Sequence, residues 1–318
     1  MNISIIGGDL RIIRLAEMYA KDNYNVYTYG LEKYFDKEKG YSKQTEAKVY
    51  NKNINDEVHR SNEKFNNIFL CNSVEEAITS SNCIVSGMPF TKDKITVNAP
   101  FANEEIKLEE LKNKLFNETS SKIFFAGGIP KDYYIKKETK KLKNIDLVDL
   151  LEIEELTILN AIPTVEGTIK LAIEEREETI HESNVLVCGF GRIGKILCDR
   201  FNKLGANVYC VARKESDLAW IREKRYIPLL YSELPKYSDR FDIIINTVPH
   251  IVLEEEQLKL FNKDVLIIDV ASEPGGINKE SANKLGLKVI TALGIPGKEM
   301  PKTAGKYIKE TIDKLIKF

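Results

Sequence analysis

Histidine and paired cysteines are what this sequence has least of, and each scarcity removes a class of function. Only His59, His181 and His250 occur in 318 residues, never close together, so a histidine-based metal centre lacks its ligands. The five cysteines, Cys71, Cys83, Cys188, Cys198 and Cys210, show no C-x-x-C spacing, which excludes a zinc ribbon or a redox dithiol. They read as reduced core thiols, with Cys188 and Cys210 inside apolar, strand-like runs. Charge of one sign is also lacking. Lys+Arg 47 against Asp+Glu 48 leaves no field that would hold nucleic acid or an anionic membrane, so small molecules or proteins are the expected partners. No apolar run approaches the ~18 residues needed to cross a bilayer. The opening MNISIIGGDL has no basic segment or cleavage site ahead of its apolar stretch, and a cytoplasmic protein is expected.

The length exceeds what one hydrophobic core usually supports, about 250–300 residues, and two α/β domains are expected. Asn2–Ile6 reads as a strand that ends in Gly7-Gly8-Asp9, after which Leu10, Ile13, Leu15, Met18 and Tyr19 follow helical spacing. Strands are expected at Val26–Tyr29, Cys83–Ser86, Lys122–Ala126 and Ile145–Leu150, and helices after Ser73, with Glu76 completing a capping box, and over Glu104–Leu115. Lys37–Asn67, rich in Lys, Asn and Glu, reads as a long solvated excursion. This pattern predicts a flavodoxin-like parallel sheet over residues 1–160, completed by 295–318. Ile162-Pro163-Thr164 is expected to start a connector helix. Six strands then follow, Val185–Cys188, Asn207–Val211, Ile227–Leu230, Asp242–Thr247, Val265–Val270 and Lys288–Thr291, and these predict a Rossmann domain over 161–294. The amphipathic stretch Thr303–Lys317 is expected to pack back on the first domain.

Gly189-Phe190-Gly191-Arg192-Ile193-Gly194 is a G-x-G-x-x-G placed between a predicted strand and a predicted helix. In that context Gly189 allows the tight turn, Gly191 lets backbone approach a pyrophosphate, and Gly194 lets the helix pack on the sheet. The N–H groups at the helix start, including those of Arg192 and Ile193, favour a diphosphate. A nicotinamide dinucleotide is expected. The next strand ends Val211-Ala212-Arg213-Lys214, where NAD enzymes place a carboxylate for the ribose 2′-hydroxyl. Arg213 and Lys214 suit a 2′-phosphate instead, so NADP is preferred to NAD. Ligands of such sheets lie beyond the carboxyl ends of strands, which adds Thr247, Val248, Pro249, Ala271 and Ser272 to the cofactor residues, and Gly275 and Gly276, beside the nicotinamide ring, to the substrate-binding ones. A plain turn is the alternative for Pro274-Gly275-Gly276. His250 either faces the cofactor or stands in a solvated loop.

Several stretches together resemble the family of dipicolinate synthase A subunits. They are Ile6-Gly7-Gly8-Asp9 with Arg11, the connector Ile162-Pro163-Thr164-Val165-Glu166-Gly167-Thr168, the Gly189–Gly194 loop with Arg213, Asn246-Thr247-Val248-Pro249, Ala271-Ser272-Glu273-Pro274-Gly275-Gly276, Gly294-Ile295-Pro296-Gly297 and Pro301-Lys302-Thr303-Ala304-Gly305. The resemblance implies a dehydrogenase-like protein that oxidises dihydrodipicolinate, a cyclic dicarboxylate from the lysine pathway, to dipicolinate during sporulation. It also implies the flavoprotein-like B subunit of dipicolinate synthase as partner, and hence a hetero-oligomer. A 2-hydroxyacid or amino-acid dehydrogenase, and a non-catalytic dinucleotide-binding scaffold, are the competing readings.

Two carboxylates on one ring call for cationic or N–H-rich sites. Arg11, Arg14 and Lys302 are the candidates, each with an alternative as a surface or helix-end charge. Asp9 either accepts hydrogen bonds across a cleft or caps the first helix. Thr164 and Glu166 fall at the connector and, with Lys302, are the catalytic candidates; Glu166 is either a general base or a helix-start charge.

Overall fold

A computed structural model describes residues 1–35, 65–134 and 144–316 of the chain. They form two units, Met1–Thr157 with Pro301–Phe318, and Ile158–Met300. Residues 295–300, expected with the first domain, therefore belong to the second unit.

The first unit holds β1 (Asn2–Ile6), β2 (Asn25–Tyr29), β3 (Ile68–Leu70), β4 (Cys83–Ser86), β5 (Lys122–Ala126) and β6 (Ile145–Asp149), all parallel, in the order β3-β2-β1-β4-β5-β6. The expected α/β sheet is present, but its order is not the 2-1-3-4-5 of flavodoxin. The strand that the sequence pattern does not show is β3, three residues with half-exposed or exposed side chains, too short and too polar in setting to carry a period. The excursion expected over 37–67 lies outside the described residues up to position 64.

Runs such as Ile3-Ser4-Ile5-Ile6 and Cys83-Ile84-Val85-Ser86 are buried on both sides, as strands covered on both faces by helices must be. One face meets Leu10–Lys21 and Pro301–Leu315 through Ile3, Ile5, Ile12, Leu15, Ile308 and Ile312. The other meets Val74–Thr79 and Leu108–Phe116 through Ile6, Ile84, Ala77, Ile78 and Leu111.

The C-terminal helix thus packs on the first unit, as expected. Tyr19 Oη donates to Asp313 at 2.9 Å, and Lys309 Nζ bridges Asp22 and Asp313, each at 2.7 Å, above the Tyr19 ring. Gly305 allows the approach. A Cβ there would lie 2.6 Å from the Arg11 carbonyl oxygen and 3.3 Å from Arg14 Cβ.

The second unit holds β7 (Asn184–Cys188), β8 (Asn207–Val211), β9 (Ile227–Leu229), β10 (Ile243–Asn246), β11 (Leu266–Asp269) and β12 (Lys288–Thr291), ordered β12-β11-β10-β7-β8-β9 and all parallel. All six predicted strands are present. The order reverses between β7 and β10, the crevice where such sheets take ligands.

The connector helix departs from expectation. It runs Glu154–Glu174, so Pro163 lies inside it and Glu166 stands well past the first turn. Proline there offers no N–H to the Leu159 carbonyl, and a residue that normally opens or breaks a helix masks the helical stretch ahead of it in the sequence. The helix has 21 residues and is apolar enough to span a bilayer by length and composition, which apolar runs alone do not reveal; half of that stretch is buried in the protein. All five cysteines are free and buried, and burial pushes the Cys71 and Cys83 thiols up to about 12.

Because the obstacle at Gly305 is backbone, Gly305→Val should overpack the helix pair and cost about 1–3 kcal/mol. Chemical denaturation should show a lowered midpoint; an unchanged one would mean that the two helices are not held this closely.

Candidate functional site

Two helices leave the central strand of a sheet through a glycine turn, and their first turns differ. In the first unit Asp9 caps the helix: its carboxylate accepts from Arg11 N at 3.0 Å, and Asp9 O accepts from Ile12 N and Ile13 N. Arg11 locks that carboxylate, with Nε 3.0 Å from Oδ1 and Nη2 2.6 Å from Oδ2, and also donates to the Met88 carbonyl. Arg11 is 4% exposed. Its charge is matched and out of solvent, so the reading of Arg11 as a substrate cation gives way to that of a helix-end partner. Asp9, for the same reason, is a cap. Arg14 is likewise engaged, with Glu17 and Tyr34 at 2.9 Å. Asn98 O accepts from Gly8 N at 2.8 Å and completes the closure of this turn.

In the second unit the turn after β7 is open. Gly191 is the N-cap of Arg192–Lys203 and, being glycine, brings no side chain to the helix start. The first helical bond is Lys195 N to Gly191 O at 2.9 Å, which places the amides of Arg192, Ile193 and Gly194 ahead of it. Among the described residues, apart from its chain neighbours, nothing lies within 4 Å of where a Gly191 Cβ would stand. Gly194 is different, since its Cβ would collide with the Gly189 carbonyl. Gly189 itself has φ +100°, and a Cβ there would meet Thr247 Oγ1 at 2.6 Å. The three glycines thus divide the work as the motif requires: a turn, a cleared approach and a close helix–sheet contact. The positive amide end of a 12-residue helix whose N-cap is a glycine fits a diphosphate.

The parallel sheet brings the other cofactor candidates to the same edge. Ala212 is buried where β8 ends, and Arg213 and Lys214 are exposed after it. Neither side chain has a hydrogen bond or ion pair with a described residue. Thr247 follows β10 and donates its hydroxyl to Cys188 O at 2.8 Å, which pins it across the reversal in strand order. Val248 is half-buried, while Pro249 and His250 are exposed. Ala271 is buried and Ser272 exposed beyond β11.

Gly275 and Gly276 serve a structural purpose that residue type alone does not separate from ligand binding. Asp269, 1% exposed at the end of β11, accepts from Asn246 Nδ2 at 2.8 Å, Ala271 N at 3.2 Å and Gly276 N at 3.0 Å. Asn246 in turn donates to Val248 O at 2.9 Å and accepts from Val248 N at 3.1 Å. A Cβ on Gly275 would sit 2.6 Å from Asp269 Oδ2, and one on Gly276 2.6 Å from Val248 O. The Gly276 amide is used by Asp269 and the Gly275 amide by Ser272 O, so the turn reading holds and neither N–H is left for a substrate carboxylate. The signal for Asp269 is a single carboxylate closing an otherwise apolar run, Val265-Leu266-Ile267-Ile268, which an ordinary strand does not need.

Among the catalytic candidates, Thr164 is buried and donates to Asn160 O at 3.1 Å. Glu166 is exposed on the same helix and Lys302 exposed at the start of Pro301–Leu315, and neither has a hydrogen bond or ion pair with a described residue. A Cβ on Gly167 would meet Ile295, and Lys170 pairs with Glu299 at 2.8 Å, so two of the family-like motifs are contact surfaces for each other.

Asp269→Asn keeps the shape of the side chain but turns an amide donor toward one of the donors that the carboxylate now satisfies. The expected cost is about 1–3 kcal/mol in unfolding free energy; full stability in the variant would show that the bonds to Asn246, Ala271 and Gly276 contribute nothing.

Comparison with known proteins agrees with this division. Residues 57–151 match the family model for the N-terminal domain of the dipicolinate synthase A subunit. Residues 164–282 match that of the D-isomer specific 2-hydroxyacid dehydrogenase, NAD binding domain, which makes the second unit a dehydrogenase-type domain for a nicotinamide dinucleotide. The dipicolinate synthase A subunit of Bacillus subtilis (strain 168) is 31% identical over 316 residues, 99% of this chain and 96% of the relative. The crystal structure of the Bacillus subtilis protein superposes with a TM-score of 0.76, covering 99% of this chain and 95% of the other. Its counterpart from Bacillus halodurans gives 0.79 at 28% identity, covering 100% and 98%. With an open helix start on the second sheet, a closed one on the first and this likeness along its whole length, the chain belongs to the family of dipicolinate synthase A subunits.

Proposed function

We propose that this oxidoreductase uses NADP to convert dihydrodipicolinate to dipicolinate. The observation that carries the redox reading is the helix start at Gly191, a glycine N-cap with no described atom beyond its chain neighbours within 4 Å of where its Cβ would stand, at the strand-order reversal. The substrate class is supported by the relatives, which are dipicolinate synthases. On this reading the diphosphate lies against the amides of Arg192, Ile193 and Gly194, and Thr247, Val248, Pro249, Ala271 and Ser272 border the nicotinamide half. Preference for NADP rests on Arg213 and Lys214, two cations without hydrogen bonds or ion pairs to described residues, where a strand-end carboxylate is absent.

The reaction balances as dihydrodipicolinate plus NADP⁺ giving dipicolinate, NADPH and a proton. Bound nicotinamide supplies a hydride acceptor at C4. Two electrons leave the ring as that hydride, a proton goes to a base, and the ring becomes aromatic. Glu166, on the unit that carries the dinucleotide loop, is the uncommitted carboxylate assigned to the proton; Thr164, with its hydroxyl on Asn160, holds the helix in shape. A second chain, the B subunit, acts with this one in the reading, since the Bacillus subtilis relative is itself one subunit of a synthase.

Binding measured on the full chain should favour NADPH over NADH, and Arg213→Ala should weaken NADPH about 10–100-fold with little effect on NADH. An unchanged ratio would remove Arg213 from this role. Reduced nicotinamide should accumulate when the chain is given freshly generated dihydrodipicolinate and NADP⁺, with or without the partner protein; absence of turnover in both arms would leave a dinucleotide-binding scaffold.

A further inference from the structure

One polar atom on the second sheet is left unexplained by the cofactor residues already named. Val211 and Leu229 are register partners on β8 and β9, and Ala212 N donates to Leu229 O at 3.2 Å. Arg213 and Tyr231 each stand two residues beyond that pair, past the carboxyl ends of neighbouring strands. The Tyr231 ring packs against the core cluster that includes Leu186, Cys188, Val211 and Leu229. Its hydroxyl oxygen is buried and has no hydrogen-bond partner among the described residues. A buried hydroxyl without a partner is unfavourable unless something arrives to bond it.

The electrostatics agree with the placement. Burial pushes the Tyr231 phenol well above its usual range, the Cys188 thiol at the end of β7 adds to this, and Arg213 acts in the opposite direction. The phenol is therefore a proton donor at neutral pH, and it stands within the field of Arg213.

The geometry points to Tyr231 as a specificity-determining residue that donates its hydroxyl to the 2′-phosphate of an adenosine ribose held by Arg213. This rests on the NADP reading above and deepens it. A guanidinium alone recognises charge; a guanidinium with a fixed neutral donor also recognises where the phosphate is attached. Removing the hydroxyl then weakens only those nucleotides that carry the 2′-phosphate.

The test uses Tyr231→Phe in the full chain, which keeps the ring and its packing and removes a buried atom that lacks a partner. Its thermal midpoint should equal or exceed that of the parent. Affinities for NADPH and 2′,5′-ADP are expected to fall about tenfold, while NADH and 5′-AMP change less than about twofold. If the parent prefers NADPH, Arg213→Ala abolishes that preference and Tyr231→Phe leaves all four affinities alone, the inference about Tyr231 is overturned and the cofactor assignment stands. Equal losses for NADPH and NADH would also overturn it, since they would place the hydroxyl on a part of the nucleotide common to both. A parent that binds none of the four overturns both readings.

Discussion

A helix that starts in a glycine turn carries amide hydrogens with no internal acceptor, and what fills that need decides what the unit around it can do. This chain contains the situation twice, on sheets of the same strand order. In the first unit the protein fills it from within: Asp9 takes the amide, Arg11 neutralises Asp9, and Asn98 covers the glycine beside it. In the second, glycine holds the N-cap position and, among the described residues, the volume over it is clear. The same topology is thus a closed scaffold in one half and fits an anion in the other, and the difference comes down to one carboxylate at the N-cap.

Much of the fold is legible because strands buried on both faces write themselves as short apolar runs between glycine turns, and the six of the second unit are all visible in that form. What does not show is hidden for physical reasons. The strand Ile68–Leu70 is short, partly exposed and follows a polar stretch, so it has neither period nor apolar contrast. Without it the first sheet resembles the five-stranded flavodoxin order. Pro163 reads as a helix start because proline is at home there, yet the packed environment of Val165, Thr164 and Thr168 holds a continuous helix through it.

The site is legible in a similar, partial way. G-x-G-x-x-G between a strand and a helix locates the candidate diphosphate loop, and each glycine has the spatial reason expected of it. Residue type does not reveal whether a polar group is free or engaged. Arg11 and Lys302 look alike in sequence, but Arg11 is spent on Asp9 and Met88 whereas Lys302 is exposed. Asp269 shows only as a lone carboxylate closing an apolar run, and Tyr231 lies beyond a strand of ordinary composition; what each does lies in hydrogen bonds made or lacking, which spacing does not encode.

The Asn246–Asp269 pair has a mechanical corollary. The two side chains stitch the segment after β10 to the segment after β11 through five short bonds, so Val248 and the Ser272–Gly276 turn form a single bracket. A displacement at either end of that bracket must carry the other with it, so the wall of the crevice on the β10 and β11 side moves as one piece.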